Sequence, residues 1–214
     1  MRDLILFGIQ GSGKGTQGKL LADKFALPIF ETGAELRSLA QSSSPLGQKV
    51  KNIIDAGNLV SDEIVLDVIQ NFLHKVPAEQ AVIFDGIPRS VSQRQLFDQL
   101  LETLGRHPLA IQIELSAKDA LQRLTARRLC SKCRTIYPAD YQGETCSVPD
   151  CNGKLERRAD DNSESIKRRL ELYEQETLPV IEHYAKEQRL LKVDGRASIQ
   201  EVNQALLLGL SKIL

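Results

Sequence analysis

The stretch "GIQGSGKGTQ", residues 8–17, decides the fold. It nearly matches the phosphate-binding pattern G-x-x-x-x-G-K-[ST], but Gly15 occupies the position after Lys14, and Thr16 comes one place later. The apolar run "LILFGI" at 4–9 precedes the loop, and the helix-like run "KLLADKFA" follows it. A strand, a glycine loop and a helix start together place backbone N–H groups around an anion. The sequence therefore predicts a loop that binds nucleotide phosphates, and the alternative is a structural glycine-rich turn.

Gly15 changes how the loop can hold Mg²⁺. In the generic loop, the hydroxyl group after the lysine ligates Mg²⁺ directly. Here that ligand is missing from its usual position, so nucleotide oxygens and water must supply more of the coordination, with Thr16 nearby. Asp85 ends the apolar run "AVIFD", and we interpret it as a carboxylate that acts on the metal through water. The alternative for Asp85 is a cap on a turn.

Composition is typical of a globular protein and argues against several other classes. The chain has 214 residues, of which 42% are hydrophobic and 26% charged. The 28 basic residues balance the 28 acidic ones, whereas non-specific nucleic-acid binding usually needs a basic excess. No apolar run in the sequence reaches the roughly 18 residues that cross a bilayer, and "MRDLILFG" predicts a buried strand instead of a signal peptide. We expect a cytoplasmic protein without nucleic-acid or membrane partners.

Short β-rich runs alternate with helical segments along the chain. After the first run come "LPIFET" at 27–32, "AVIFDG" at 81–86, "LAIQIEL" at 109–115 and "LLKVDG" at 190–195. Such alternation is typical of a parallel sheet that is covered by helices on both faces. The sequence therefore predicts a doubly wound α/β fold.

Two segments interrupt this alternation. Residues 31–60 indicate short helices joined by a turn rich in serine, proline and glycine, whereas residues 128–159 contain all the cysteines and show little helical pattern. Long inserted segments of this kind are often lids or binding loops.

The four cysteines follow the pattern C-x2-C-x12-C-x4-C, at Cys130, Cys133, Cys146 and Cys151. Four thiolates in a turn-rich segment suit tetrahedral Zn²⁺, and a site closed by four cysteines folds its segment instead of catalysing. We predict one structural zinc per chain. Disulfides or a metal-free segment are the alternatives.

Further motifs complete the pattern of a known family. They are "TGAELR" at 32–37, "GNLVSDE" at 57–63, "DGIPRSVSQ" at 85–93 and "RRADDNSESIKRRL" at 157–170. With the glycine loop and the cysteine segment, they cover essentially the whole chain. Together they resemble bacterial adenylate kinases of the long-lid, zinc-containing type, a family in which Gly-Lys-Gly-Thr is the usual form of the loop.

This resemblance implies an architecture and a reaction. It implies a P-loop core with a five-stranded parallel sheet at 1–29, 61–126 and 160–214, a helical AMP-binding insertion at 30–60 and a zinc-bearing lid at 127–159. The implied reaction is the reversible, Mg²⁺-dependent conversion of ATP and AMP into two ADP, performed by a monomer. The alternatives are a kinase for another nucleoside monophosphate and a zinc-knuckle protein that binds nucleic acid.

The reaction needs positive charge more than a strong base. The AMP phosphate is already an anionic nucleophile near neutral pH, so positioning and charge stabilisation carry catalysis. The planar fork of arginine suits phosphate oxygens. The candidate catalytic residues are Lys14, Asp85, Arg89, Arg127, Arg158 and Arg169.

The resemblance also assigns the nucleotide contacts. Those with ATP are expected from Gly11, Ser12, Gly13, Lys14, Gly15, Thr16, Arg123, Arg127 and Tyr137. Those with AMP are expected from Thr32, Arg37, Gly57, Asn58, Leu59, Val60, Gly86, Arg89, Gln93, Arg158 and Arg169. A glutamine amide can pair with an adenine edge through its donor and its acceptor.

Two of these assignments carry structural expectations. Arg123 and Arg127 are four residues apart on a helix that is predicted to begin near Ser116, so they are expected to share a face. Tyr137 either contacts the nucleotide or packs inside the lid.

Three residues depart from the family pattern. Gln10, Ala34 and Ile87 stand where a proline, an aspartate and an aromatic residue are usual. Ala34 removes a carboxylate near the expected reaction centre, so we expect reduced turnover or an altered dependence on Mg²⁺.

Overall fold

The computed structural model describes residues 2–55, 60–138, 141–157 and 163–213. The predicted nucleotide contacts at Gly57, Asn58, Leu59 and Arg158 lie outside the described residues.

Five parallel strands form the central sheet. They are β1 (Leu4–Phe7), β2 (Ile29–Glu31), β3 (Ile83–Asp85), β4 (Leu109–Glu114) and β8 (Leu190–Asp194). Their order in the sheet is β2-β3-β1-β4-β8, so β1 lies in the middle and pairs with β3 and β4. All four residues of β1 are buried, as expected for a strand with helices on both sides. The predicted doubly wound α/β fold with a five-stranded sheet is confirmed.

Helices follow the strands and cover the sheet. They are α1 (Lys14–Phe25), α2 (Thr32–Ala40), α3 (Pro45–Asp55), α4 (Asp62–Leu73), α5 (Val91–Thr103), α6 (Ala117–Ala126), α7 (Ser163–Leu172), α8 (Leu178–Lys186) and α9 (Ile199–Leu210), with a π-helical turn at Tyr173–Thr177. Serine side chains begin three of them: Ser90, Ser116 and Ser198 each accept a hydrogen bond from a backbone N–H in the first turn. Among the described residues, no helix is long and apolar enough to cross a membrane.

Alternate residues of β1 pack into two separate hydrophobic clusters. Ile5 and Phe7 belong to the cluster under α4, α5 and α8, which includes Phe97. Leu4 and Leu6 belong to the opposite cluster, under α1 and α9. Because each large apolar side chain stabilises the fold by about 1.5–3 kcal/mol when fully buried, the two clusters stabilise the sheet from both faces.

The two segments that interrupt the sequence pattern have structures of their own. Helices α2 and α3 occupy most of 31–60 and contact each other. Within 128–159, three short strands, β5 (Arg128–Cys130), β6 (Ile136–Tyr137) and β7 (Leu155–Glu156), form an antiparallel sheet in the order β6-β5-β7. We call this small sheet and its connecting turns the lid. The exact domain boundaries stay a prediction.

Candidate active site

The glycine loop joins the end of β1 to the start of α1, at the carboxyl edge of the central sheet. Gly8, Gly11 and Gly13 all have positive φ angles, a conformation that glycine adopts without strain. A Cβ atom on Gly8 would also meet the Ser12 hydroxyl group and come within 2.7 Å of the Ile113 carbonyl oxygen. The loop therefore needs glycine for its backbone conformation and, at Gly8, for its close packing against Ser12 and Ile113.

Lys14 lies folded against this loop. Its Nζ donates a hydrogen bond of 2.6 Å to the carbonyl oxygen of Gly8. The side chain is half-buried, and burial lowers the pKa of Lys14 from its ordinary value, while the Asp85 carboxylate partly opposes this shift. The ammonium group is thus desolvated and interacts with the carboxylate of Asp85, the residue predicted from the sequence.

Asp85 reaches the loop because β3 is the immediate neighbour of β1. In the strand register Asp85 is paired with Leu6, so the carboxyl ends of both strands lie side by side. A Cβ atom on Gly15 would lie 3.8 Å from Asp85 Oδ2. The carboxylate of Asp85 is therefore next to the start of α1. This is the place where a water ligand of a loop-bound metal ion could be held.

Several of the predicted AMP-contacting residues also lie at the carboxyl edge of the central sheet. Thr32 starts α2, and its hydroxyl group donates to the carbonyl oxygen of Asp85 at 3.2 Å. Arg89 lies in the loop after β3, where its Nε donates to the carbonyl oxygen of Gly86 at 2.9 Å. Thr177, in the π-helical turn, donates to the carbonyl oxygen of Arg89 at 2.9 Å. The structure therefore brings Thr32, Gly86 and Arg89 close to Asp85.

Gln93 is held by partners on both sides of its amide. Its Oε1 accepts a hydrogen bond of 2.7 Å from the Arg89 backbone N–H, and its Nε2 donates to Asp62 Oδ1 at 3.1 Å. Sequence reasoning did not select Asp62. The only signal was its place in "GNLVSDE", which does not reveal a contact between the starts of α4 and α5.

Two further predicted arginines, Arg169 and Arg37, lie on helices α7 and α2. Arg169, on α7, donates from Nη1 to Gln10 Oε1 at 3.4 Å, which brings it to the glycine loop. Arg37 is exposed on α2, and its guanidinium group lies against Gly33.

Arg127 caps the C-terminal end of helix α6, one turn after Arg123, so the expected shared face of the two side chains stays a prediction. Helix α6 begins after Ser116, as predicted, and its last residue is Ala126. The backbone N–H of Arg127 still donates to the Arg123 carbonyl oxygen at 3.0 Å, and a ψ of 151° then turns the chain out of the helix. The chain leaves the helix there because the lid strand β5 begins at the next residue. Arg123 donates from Nη2 to the Arg196 carbonyl oxygen at 3.2 Å.

The four lid cysteines form a cluster that could hold a metal ion. Their sulfur atoms all lie within 4.8 Å of one another, and the structure contains them as free thiols. The Cys130–Cys151 and Cys133–Cys146 sulfur pairs are 3.5 Å and 3.4 Å apart. Zn–S bonds of 2.3 Å in a tetrahedron would separate the sulfurs by about 3.8 Å, so the cluster fits four-coordinate Zn²⁺.

Hydrogen bonds to Cys130 and Cys133 favour the thiolate form that a metal ion needs. The backbone N–H groups of Lys132 and Cys133 donate to the sulfur of Cys130, each at 3.4 Å. The hydrogen bond between the Cys133 thiol and the Thr135 hydroxyl group lowers the pKa of Cys133 to about 6. At Cys151 the backbone hydrogen bond of Gly153 acts in the same direction, but burial and the neighbouring sulfur atoms outweigh it and raise the pKa to about 11.

Tyr137 packs inside the lid instead of facing a nucleotide. Its side chain is 5% exposed, and its hydroxyl group accepts a hydrogen bond of 2.7 Å from the Ser147 backbone N–H. The same hydroxyl group lies 3.0 Å from the Cys146 sulfur. This finding corrects the expected ATP contact of Tyr137 in favour of the packed alternative, because both the ring and the hydroxyl group are engaged within the lid.

Comparison with known proteins identifies the family. A family model described as adenylate kinase matches residues 6–189. An adenylate kinase of Geotalea daltonii is 37% identical over 207 residues, covering 95% of this chain and 97% of the relative. Those of Thermodesulfovibrio yellowstonii and Bacillus subtilis are 35% and 36% identical, over 98% and 94% of this chain and 99% and 94% of the relatives. A match of this extent, on a chain whose glycine loop, Lys14 and Asp85 meet at one sheet edge, shows that the chain belongs to the adenylate kinase family.

Proposed function

We propose that the protein is a phosphotransferase that catalyses the reversible, Mg²⁺-dependent reaction ATP + AMP ⇌ 2 ADP and so maintains the balance of adenine nucleotides. One observation carries this proposal: the desolvated Lys14 ammonium group lies in a glycine loop beside Asp85, at the carboxyl edge of the sheet. Ligands of open α/β sheets bind at this edge. The family gives the identity of the nucleotides.

The chain's own residues act by position and charge. The loop N–H groups and Lys14 would bind the outer ATP phosphates, while Arg37 and Arg89 would hold the AMP phosphate in line. Arg127, Arg158 and Arg169 are the candidates for stabilising the charge on the transferring group. Their placement and that of the other nucleotide contacts stay a proposal.

Mg²⁺ accompanies the nucleotide and neutralises phosphate charge during transfer. Oxygen donors of the loop region include the Asp85 carboxylate and the Thr16 hydroxyl group, whereas Gly15 has no side-chain oxygen. Asp85 would therefore hold the ion through water.

The lid would exclude water, which otherwise competes with AMP for the phosphoryl group. We propose that one Zn²⁺ per chain, bound by the four cysteines, holds the lid in its folded form. We also propose that the protein acts as a monomer in the cytoplasm.

The test of function is ADP formation from MgATP with AMP, GMP, UMP and CMP measured in parallel. We expect turnover that is selective for AMP. Selectivity for another monophosphate would agree with the proposed mechanism but contradict the proposal that AMP is the substrate. No turnover with any of them, together with tight RNA or DNA binding at physiological salt, would support a nucleic-acid-binding protein instead.

The substitution Ala34→Asp is expected to raise turnover roughly tenfold at limiting Mg²⁺, because carboxylates that act on a metal site through water typically contribute that much. Ala34 is half-buried in the first turn of α2, where the helix dipole favours a negative charge. The measurement is kcat against Mg²⁺ concentration. Ser38→Asp, at an exposed position further along the same helix, is the matched control. Identical Mg²⁺ profiles for Ala34→Asp and the parent chain would contradict the role assigned to this position.

A further inference from the structure

The side chain of Gln93 has two partners of opposite hydrogen-bonding character. Gln93 is 7% exposed, so its amide depends on protein partners more than on water. The Arg89 backbone N–H can only donate, and it meets Oε1 at 2.7 Å. An ionised Asp62 carboxylate can only accept, and it meets Nε2 at 3.1 Å. A flipped amide would oppose a donor to a donor and an acceptor to an acceptor, so these two contacts determine which end carries the oxygen.

Asp62 is itself fixed in place. It is the first residue of α4, where the positive end of the helix dipole favours a carboxylate. Its second oxygen, Oδ2, accepts a hydrogen bond of 2.8 Å from the Ser92 hydroxyl group, so both oxygens bind neighbouring residues of α5. The carboxylate therefore connects the start of α4 to the start of α5 in one orientation.

The Gln93 amide can still form further hydrogen bonds. An amide oxygen accepts two hydrogen bonds and an amide nitrogen donates two, so Gln93 keeps one acceptor on Oε1 and one donor on Nε2. The pairing edge of adenine presents a donor at its 6-amino group and an acceptor at N1. Hypoxanthine presents the reverse, an acceptor at its 6-oxo group and a donor at N1. One amide orientation therefore complements adenine, and the flipped one complements hypoxanthine.

We propose that Asp62 is a positioning residue for base selection: with the Arg89 N–H, it holds the Gln93 amide in the orientation that complements adenine. This inference rests on the proposed function, in which Gln93 contacts the base of AMP. Asp62 does not need to touch the nucleotide, and it acts through Gln93.

The test compares AMP with IMP, whose base is hypoxanthine and which otherwise has the same ribose and phosphate. The readout is the ratio of kcat/KM for the two substrates in Asp62→Asn and Asp62→Ala. Asparagine keeps the volume of the side chain but can present a donor or an acceptor, and alanine removes the contact altogether. We expect the AMP:IMP ratio to fall roughly tenfold in Asp62→Ala and less in Asp62→Asn, mainly through a higher KM for AMP, because one charge-assisted hydrogen bond no longer opposes the flip.

Glu63→Gln is the matched control. Glu63 is the next residue, is exposed and carries the same charge in the same first turn of α4. Its replacement removes a negative charge from the helix start without changing the contact with Gln93, so the AMP:IMP ratio should stay within about twofold of the parent value.

Two results would overturn the inference. One is an unchanged ratio in both Asp62 variants, and the other is an equal loss of kcat/KM with AMP and IMP, which would mean that Asp62 only supports the fold. Failure of the proposed function is a separate result, because it appears in the unmodified protein as a lack of ADP formation from AMP.

Discussion

Lys14→Met is expected to lower kcat for ADP formation on the order of 10³-fold, because it removes a positive charge from a water-poor phosphate site. Methionine keeps an unbranched apolar side chain of similar reach, so the change isolates the ammonium group. That group lies 2.6 Å from the Gly8 carbonyl oxygen, and burial lowers the pKa of Lys14 because its charge is desolvated. A desolvated cation interacts more strongly with phosphate oxygens than one in water. The measurement is steady-state kinetics with saturating MgATP and AMP.

The control for this change is Lys19→Met. Lys19 is on the same helix, α1, but is exposed. Its replacement should leave kcat within about twofold of the parent value. If Lys14→Met kept more than about a tenth of the turnover, the glycine loop would have to act through its backbone alone.

The central sheet could be predicted because its inner strands, β3, β1 and β4, are short, apolar and mostly buried. All five predicted runs contain a strand of the sheet, and β1 is buried along its whole length. The lid strands β6 and β7 could not be predicted in the same way. Each has two residues, too few to show an alternating pattern, and both pair with β5 in the lid sheet.

The end of α6 shows a second limit of local patterns. Spacing predicts Arg123 and Arg127 on one helix but does not show where the helix ends, since neither glycine nor proline marks a stop there. The helix ends because the next residue pairs with Tyr137 in the lid sheet. A tertiary contact therefore decides where the helix ends.

In the candidate site too, residues that belong to local motifs could be predicted, whereas a residue that depends on tertiary packing could not. Lys14, Asp85 and the four cysteines were found from the sequence because each belongs to a motif whose spacing has a chemical reason. Asp62 was missed because its role depends on Gln93, which is 31 residues away along the chain and on another helix. Such a partner is visible only when the packing of α4 against α5 is known.

Cys130→Ser is expected to reduce bound zinc from one per chain to less than about a tenth, since a serine hydroxyl group is a poor replacement for a thiolate ligand. Cys130 is fully buried at the centre of the cluster, where its sulfur receives two backbone hydrogen bonds. Among the described lid residues, the hydrophobic cluster is small: Cys130, Tyr137 and Cys146 are buried, Tyr141, Cys151 and Leu155 pack against them, and three of these six are proposed ligands. A segment with so small a core normally needs a metal ion or disulfides to fold.

Loss of the metal should therefore destabilise the lid and remove its contribution to the free energy of unfolding of the whole chain. We expect Cys130→Ser to lower Tm by about 10 °C, which corresponds to a loss of about 3–4 kcal/mol in a chain of this size. A strong chelator should have the same effect on the unmodified protein. The measurements are metal content by mass spectrometry and thermal unfolding. Ser131→Ala, at the exposed neighbouring position, is the control and should change neither value. Full zinc content in Cys130→Ser, or an unchanged Tm after complete removal of zinc, would show that the lid folds without the metal, and the cluster would then need another explanation.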